Sequence, residues 1–205
     1  MTQKAILLIG PTGSGKTPFG NMLSKTGING LTFSHFDFGA QLRNIVSGEN
    51  SCGMSDANVT LISEILTKGA LLENETFYLA EEIINYFLKT GDNCSYVVLN
   101  GLPRHTGQAD NISRFFNIIM VISLDCTPET VMKRIASNSG GDRTERDDDT
   151  LLLIQNKLKI FKERTEPLIE YYKNNNCPVI NLNVQQNTTP DMLIFELKKN
   201  LTFFK

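Results

Sequence analysis

The sequence predicts an α/β fold, with a five-stranded parallel sheet carrying helices on both faces. Three observations predict it. Apolar runs of strand length recur along the chain, with helical segments between them. The runs are continuous rather than alternating, as in strands covered on both sides. Each chemistry-bearing motif follows the end of such a run, where ligands bind in sheets of this class.

The elements follow in order. Residues 4–9 are apolar after Lys4 and stop at Gly10, giving the first strand. Residues 31–36 form a second, less apolar candidate. Residues 95–100 contain Tyr96-Val97-Val98-Leu99, and 117–125 contain Ile118-Ile119-Met120-Val121-Ile122. Residues 178–184 contain Val179, Ile180 and Leu182. Helix starts are marked at Thr127-Pro128-Glu129 and again at Thr189-Pro190-Asp191. Each supplies a capping hydroxyl, a proline at the first helical position and an acid in the first turn. Residues 149–174 read as one long helix, with apolar positions at 151, 154, 158, 161, 168 and 171. Strands alternating with helices imply parallel pairing through right-handed crossovers.

Composition bounds the function. The chain has 205 residues, with 20 Lys+Arg against 22 Asp+Glu, a net charge of −2. That excludes a broadly basic nucleic-acid surface and an acidic disordered tail. The length fits one large domain, or a core with a small inserted lobe. Cys52, Cys94, Cys126 and Cys177 form no C-x-x-C pair, so free thiols in a reducing cytosol are expected. The run Ala5–Ile9 is too short for a signal-peptide core or a membrane span. The expectation is therefore a cytoplasmic protein with no membrane or nucleic-acid partner, acting as a monomer. Its arginines are few, at 43, 104, 114, 134, 143, 146 and 164.

The first strand runs into Gly10-Pro11-Thr12-Gly13-Ser14-Gly15-Lys16-Thr17, which matches G-x-x-x-x-G-K-[ST]. Glycines let consecutive N–H groups curl around an anion, and the positive end of the following helix adds to the site. Gly10, Thr12, Gly13, Ser14, Gly15, Lys16 and Thr17 are thus the candidate ATP-binding residues. Lys16 can reach the β- and γ-phosphates, and the Thr17 hydroxyl can take a place on Mg²⁺, the cofactor expected with ATP. A GTPase would need N-K-x-D, but Asn156-Lys157 is followed by Leu158-Lys159 inside a predicted helix. A small-molecule kinase fits the length.

Further motifs narrow this. Gly39-Ala40-Gln41-Leu42-Arg43 is similar to T-G-D-x-L-R, and Gly69-Ala70-Leu71-Leu72 to G-x-L-V. Asn100-Gly101-Leu102-Pro103-Arg104 with Gln108-Ala109-Asp110 is similar to D-G-F-P-R-x-x-x-Q-A-D. Arg146-Asp147-Asp148-Asp149 is similar to R-x-D-D, and residues 165–172 match a further segment of the same pattern. With the phosphate loop, these motifs resemble the adenylate kinase family of nucleoside monophosphate kinases, in the family's order.

The resemblance implies a single P-loop kinase domain over 1–205. Its core would be 1–36, 90–136 and 147–205, with a helical acceptor-nucleotide lobe at about 37–89 and a short closing arm at about 137–146. The arm would carry no zinc, because 138–145 holds no cysteine or histidine. The substrates implied are ATP and a nucleoside monophosphate, AMP first. Arg43 and Arg104 would grip the acceptor's phosphate, Gln108 would read its base, and Phe38, Gly39, Leu72 and Gly101 would line its pocket. Arg134 would stack on the donor adenine and join the catalytic set. Arg143 and Arg146 would close on the transferring group, oriented by Asp148 and Asp149. The arginines suit this, since a planar fork holds phosphate bidentately and stays charged.

Several positions depart from the family pattern. Asn100 stands where the family has an aspartate that holds magnesium through water, so weaker magnesium affinity is expected. Lys157 replaces an arginine of the catalytic set on the long helix. Phe38 replaces a threonine near the acceptor base, which leaves the base open. The 44–67 segment is a few residues longer than usual, and His35-Phe36-Asp37-Phe38 has no assigned role beyond lining the acceptor pocket. Asn100 and Lys157 keep open a non-catalytic ATP-binding module. A kinase with a non-nucleotide acceptor is the other alternative, although it would not be expected to carry Gln108-Ala109-Asp110. Five of the seven arginines fall on motif positions, so a near-neutral chain still focuses positive charge into one cleft.

Overall fold

The computed structural model describes residues 2–50, 52–91, 94–143 and 150–200. Its centre is a five-stranded sheet of β1 (Gln3–Ile9), β2 (Phe33–Asp37), β3 (Tyr96–Asn100), β4 (Phe116–Asp125) and β5 (Val179–Asn183). The order across the sheet is β2-β3-β1-β4-β5, and every pairing is parallel. The continuous apolar runs have their expected cause. Ala5, Leu7 and Ile9 of β1 point into one core, and Ile6 and Leu8 into another. Val97 and Leu99 follow the first set and Val98 the second. A strand with period two can only be apolar throughout if both faces are covered.

Helices supply the cover. On one face lie Leu42 of α2 (Phe38–Ser47), Ile62 of α3 (Asp56–Lys68) and Ile83 of α4 (Phe77–Thr90). Ile112 of α5 (Thr106–Ser113) joins them. On the other lie Phe19 of α1 (Lys16–Thr26), Val131 of α6 (Pro128–Ala136) and Ile154 of α7 (Leu151–Ile160). Leu168 of α8 (Pro167–Asn174) belongs to the first face and Leu193 of α9 (Pro190–Asn200) to the second. The proline-marked starts are where the sequence puts them. Thr127 Oγ1 accepts from Thr130 N at 3.2 Å and Thr189 Oγ1 from Met192 N at 3.3 Å.

Three elements differ from expectation. The second strand sits two residues later at its start and one later at its end, so that it closes on Asp37. Arg43, which by its place after the second strand is expected to open the next helix, lies in the second turn of α2, which Phe38 opens. The long helix is not continuous. Between α7 and α8, residues 161–165 form a π-turn, with Glu166 N bonded to Phe161 O at 2.8 Å. The cause is Pro167, which lacks an N–H and would press its ring on the carbonyl four residues back in an unbroken α-helix. All four cysteines are free thiols.

Candidate active site

The loops after β1, β2 and β3 open into one cleft beyond the carboxyl ends of the strands. Because β1 leads to one side of the sheet and β4 lies on the other, this is where the strand order reverses, the usual ligand position in such sheets.

Gly10–Gly15 form the first wall. Gly13 and Gly15 have φ of 76° and 93°, which glycine adopts without strain. Lys16 Nζ donates to the Gly10 and Pro11 carbonyls at 2.6 and 2.8 Å, so the loop holds its own cation in place. Ser14 is fully buried, and its Oγ lies out of the cleft with no hydrogen-bond partner among the described residues. It shapes the loop from behind, packed near Gly10.

Thr17, Asp37 and Asn100 meet beside that loop. Asp37 and Asn100 are directly paired in the β2–β3 register. Thr17 Oγ1 donates to Asp37 Oδ2 at 2.5 Å, and Asn100 Nδ2 donates to the same oxygen at 2.8 Å. Asn100 Nδ2 is also 3.2 Å from Thr17 Oγ1. The other carboxylate oxygen caps α2, accepting from Ala40 N at 3.0 Å. The sequence reading includes Asp37 only within the 35–38 segment, as a lining of the acceptor pocket, and not as a partner of Thr17 and Asn100. The available signal was an acid closing a strand two residues before the Gly39 motif.

The second wall is cationic. Arg43 and Arg104 both line the cleft, with Phe38, Gly39, Leu42, Leu72 and Gly101 around them. The Arg104 side chain is partly buried in the cleft wall, and its Nε is buried with no hydrogen-bond partner among the described residues. Burial lowers its pKa from the ordinary arginine value, and the charge of Asp37 opposes that only in part. The backbone of Arg104 is fixed at both ends. Its N–H donates to Gln108 Oε1 at 2.8 Å, and its carbonyl accepts from Thr165 Oγ1 at 2.7 Å.

Gln108 departs from its expected place. It is fully buried and lies outside the cleft lining. While Oε1 takes the Arg104 N–H, Nε2 donates to the Leu72 carbonyl at 2.7 Å. The amide ties two walls of the cleft together instead of presenting itself to a ligand. Beside it, Glu73 forms a two-pronged ion pair with Arg164 of the π-turn, the Nη2–Oε2 arm at 2.7 Å, and His105 stands 3.8 Å away. This pair holds the Glu73 carboxyl below its ordinary pKa.

Arg134 has a further role. It is 4% exposed, with Nε donating to Gly13 O at 3.0 Å. Nη1 reaches the carbonyls of Gln185, Gln186 and Thr188 at 2.9 to 3.1 Å. The side chain lines the cleft, and its donors anchor the phosphate loop to the turn before α9; these bonds lie in the guanidinium plane and do not use its stacking faces. Arg143 reaches over the loop from the other side, with Nη2 donating to Thr12 Oγ1 at 3.2 Å. Lys157 and Phe161 close the far edge, with the Lys157 stem crossing near Gly69. Arg146, Asp148 and Asp149 lie outside the described residues.

A loop of this form feeding a cleft with two cationic walls is matched by comparison with known proteins. A family model described as adenylate kinase matches residues 8–177. The chain belongs to the adenylate kinase family. An adenylate kinase of Prochlorococcus marinus (strain MIT 9515) is 32% identical over 177 residues, covering 84% of this chain and 86% of that protein. One of Borreliella burgdorferi is 25% identical over 222 residues, covering 96% and 95%. One of Hydrogenobaculum sp. is 27% identical over 201 residues, covering 83% and 89%. Adenylate kinase membership makes the chain a phosphotransferase of the nucleoside monophosphate kinase class, on the P-loop kinase fold. Among the described residues, no helix is long and apolar enough to cross a membrane.

Proposed function

We propose that this chain transfers the γ-phosphoryl group of ATP to AMP, giving two ADP. The observation that carries the reading is Arg104, a partly buried guanidinium on the cleft that the phosphate loop enters, whose Nε is buried and has no partner among the described residues. A buried charge without full compensation is costly, and an arriving phosphate supplies the missing anion.

Phosphoryl transfer asks a protein for position, charge neutralisation and exclusion of water. ATP binds with its phosphates on Gly10–Thr17. Lys16 exchanges its two loop carbonyls for phosphate oxygens, and Arg134 keeps the loop rigid through Gly13. AMP lies against Phe38, Leu42, Leu71 and Leu72, with its phosphate between Arg43 and Arg104. Gln108 positions that pocket by fixing Leu72 and Arg104 and makes no contact with the base. The acceptor lobe at about 37–89 and the arm at about 137–146 close on the two nucleotides. Arg143 and Arg146 then cover the transferring group, with Asp148 and Asp149 orienting them and Lys157 adding charge from α7.

The donor set beside the loop fits magnesium: a hydroxyl, a carboxylate and an amide oxygen are all hard ligands or partners for metal-bound water. Among the described residues, no cluster of three acids, histidines or cysteines could cage a metal alone. Mg²⁺ would therefore arrive with ATP, keep several waters, and be held at Thr17, Asp37 and Asn100. When bound it neutralises charge on the β- and γ-phosphates.

A coupled assay with ATP, Mg²⁺ and a panel of monophosphates tests the reading. Turnover with AMP is expected, and no turnover with any monophosphate overturns it. Arg104→Ala should lower kcat/KM at least about 100-fold, on the scale of one lost transition-state donor.

A further inference from the structure

We propose that Asp37, not the side chain at position 100, supplies the carboxylate that orients the cation arriving with ATP, and that Asn100 serves to aim Asp37. The proposal rests on the nucleotide-site reading above and corrects the expectation of weakened magnesium affinity drawn from Asn100.

Three features carry it. First, Asp37 and Asn100 are register partners at the ends of adjacent strands, so a carboxylate on either strand faces the same corner of the cleft. Second, the Thr17 hydroxyl already donates to Asp37 Oδ2 at 2.5 Å. A hydroxyl that coordinates a cation through its oxygen lone pair still has its proton to donate, so the contact is compatible with metal binding and places the acid next to it. Third, Asp37 is held from both ends. Asn100 Nδ2 and Thr17 Oγ1 donate to Oδ2, and Ala40 N donates to Oδ1. It is buried and lines the cleft.

The pairing also explains why position 100 carries an amide. The Asn100 nitrogen stands 2.8 Å from Asp37 Oδ2. A carboxylate there would set two like charges at that distance, whereas the amide donates a hydrogen bond. Acid and amide are thus exchanged across the β2–β3 pair, with one negative charge kept at the corner.

The test measures ATP affinity by calorimetry, in EDTA and in Mg²⁺, for the wild type and four variants. The ratio of the two dissociation constants reports cation binding by the complex, without turnover. Asp37→Asn keeps a capping residue on α2 and should cut the Mg²⁺-dependent enhancement about tenfold, the lower end for loss of an outer partner of a metal. Asp37→Ser, which also caps, should give the same loss and guards against a folding defect in the first variant. Asn100→Asp should bring no gain. The double exchange, D37N with N100D, should restore the ratio to within about threefold of wild type, far from the product of the single changes. Wild-type enhancement in D37N or D37S, a tenfold gain in N100D alone, or simple additivity in the double variant would each overturn the proposal. Wild-type protein that fails to bind ATP even in EDTA would instead overturn the nucleotide-site reading itself.

Discussion

Replacing Arg134 by lysine separates two roles that both predict lower activity. If the side chain did no more than stack on a bound adenine, its loss would leave the free protein's stability unchanged. If it is the anchor described above, the nucleotide-free protein must weaken. Nε and Nη1 donate to four backbone carbonyls, of Gly13, Gln185, Gln186 and Thr188. A lysine ammonium is a point donor and cannot serve Gly13 and the 185–188 turn together. Hydrogen bonds from charged donors each contribute about 1.5–3 kcal/mol. Because three of the four acceptors share Nη1, the contributions do not sum, and about 3–4 kcal/mol is the expected loss. For a chain of this size that lowers Tm by about 6–16 °C. The assay is thermal and urea unfolding without nucleotide, since bound ATP would add its own stabilisation. A Tm within about 2 °C of wild type would refute the anchor.

Other predictions follow from the same geometry. Gln108→Leu keeps the volume but strands the Leu72 carbonyl and the Arg104 N–H; about 2–4 kcal/mol of stability should go, with the KM for AMP rising and that for ATP unmoved, as denaturant melts and initial rates will show. Glu73→Gln should cost no more than about 1 kcal/mol at neutral pH, as a half-exposed pair. Because Arg164, aided by His105, holds the Glu73 carboxyl low, its stabilisation is full above the ordinary glutamate pKa, about 4.3, and disappears as pH falls through the depressed value. The Tm difference between wild type and Glu73→Gln should therefore close on acidification, and a difference that widens would contradict the pair. Gly20→Ala would drive its methyl into the His35 ring, so about 1–3 kcal/mol should be lost. Trimming His35 to alanine in the same chain should restore most of it, as melting curves will register.

What the sequence made legible was local. The phosphate loop is eight consecutive residues whose geometry follows from its glycines, and Arg43 and Arg104 sit in motifs of similar compactness. Strand and cap positions were readable for the same reason. The rest depended on partners remote in the chain. Asp37 acquires meaning from Asn100, 63 residues away, through strand register alone. Arg134 and Gln108 stand out by motif, but their hydrogen bonds are made with backbone carbonyls and a backbone N–H, which no pattern marks. The break at 161–165 had a visible cause in Pro167, yet helical spacing on both sides of it masked the extra residue.

That π-turn has a consequence for how the chain tolerates length changes. Lys157 lies before it, on the cleft, while Arg164 and Thr165 lie within it, gripping Glu73 and the Arg104 backbone. Each residue of an α-helix turns the chain by about 100°. An extra residue in plain α geometry would therefore swing Lys157 away from the two anchors. The π-turn absorbs that residue within one wider turn, closed by the Glu166 N to Phe161 O bond, and keeps both halves in phase. Deleting Lys162 or Glu163, which carry neither anchor, is therefore a smaller disturbance to the relation of the two halves than deleting a residue of α7, which has no wider turn to give up.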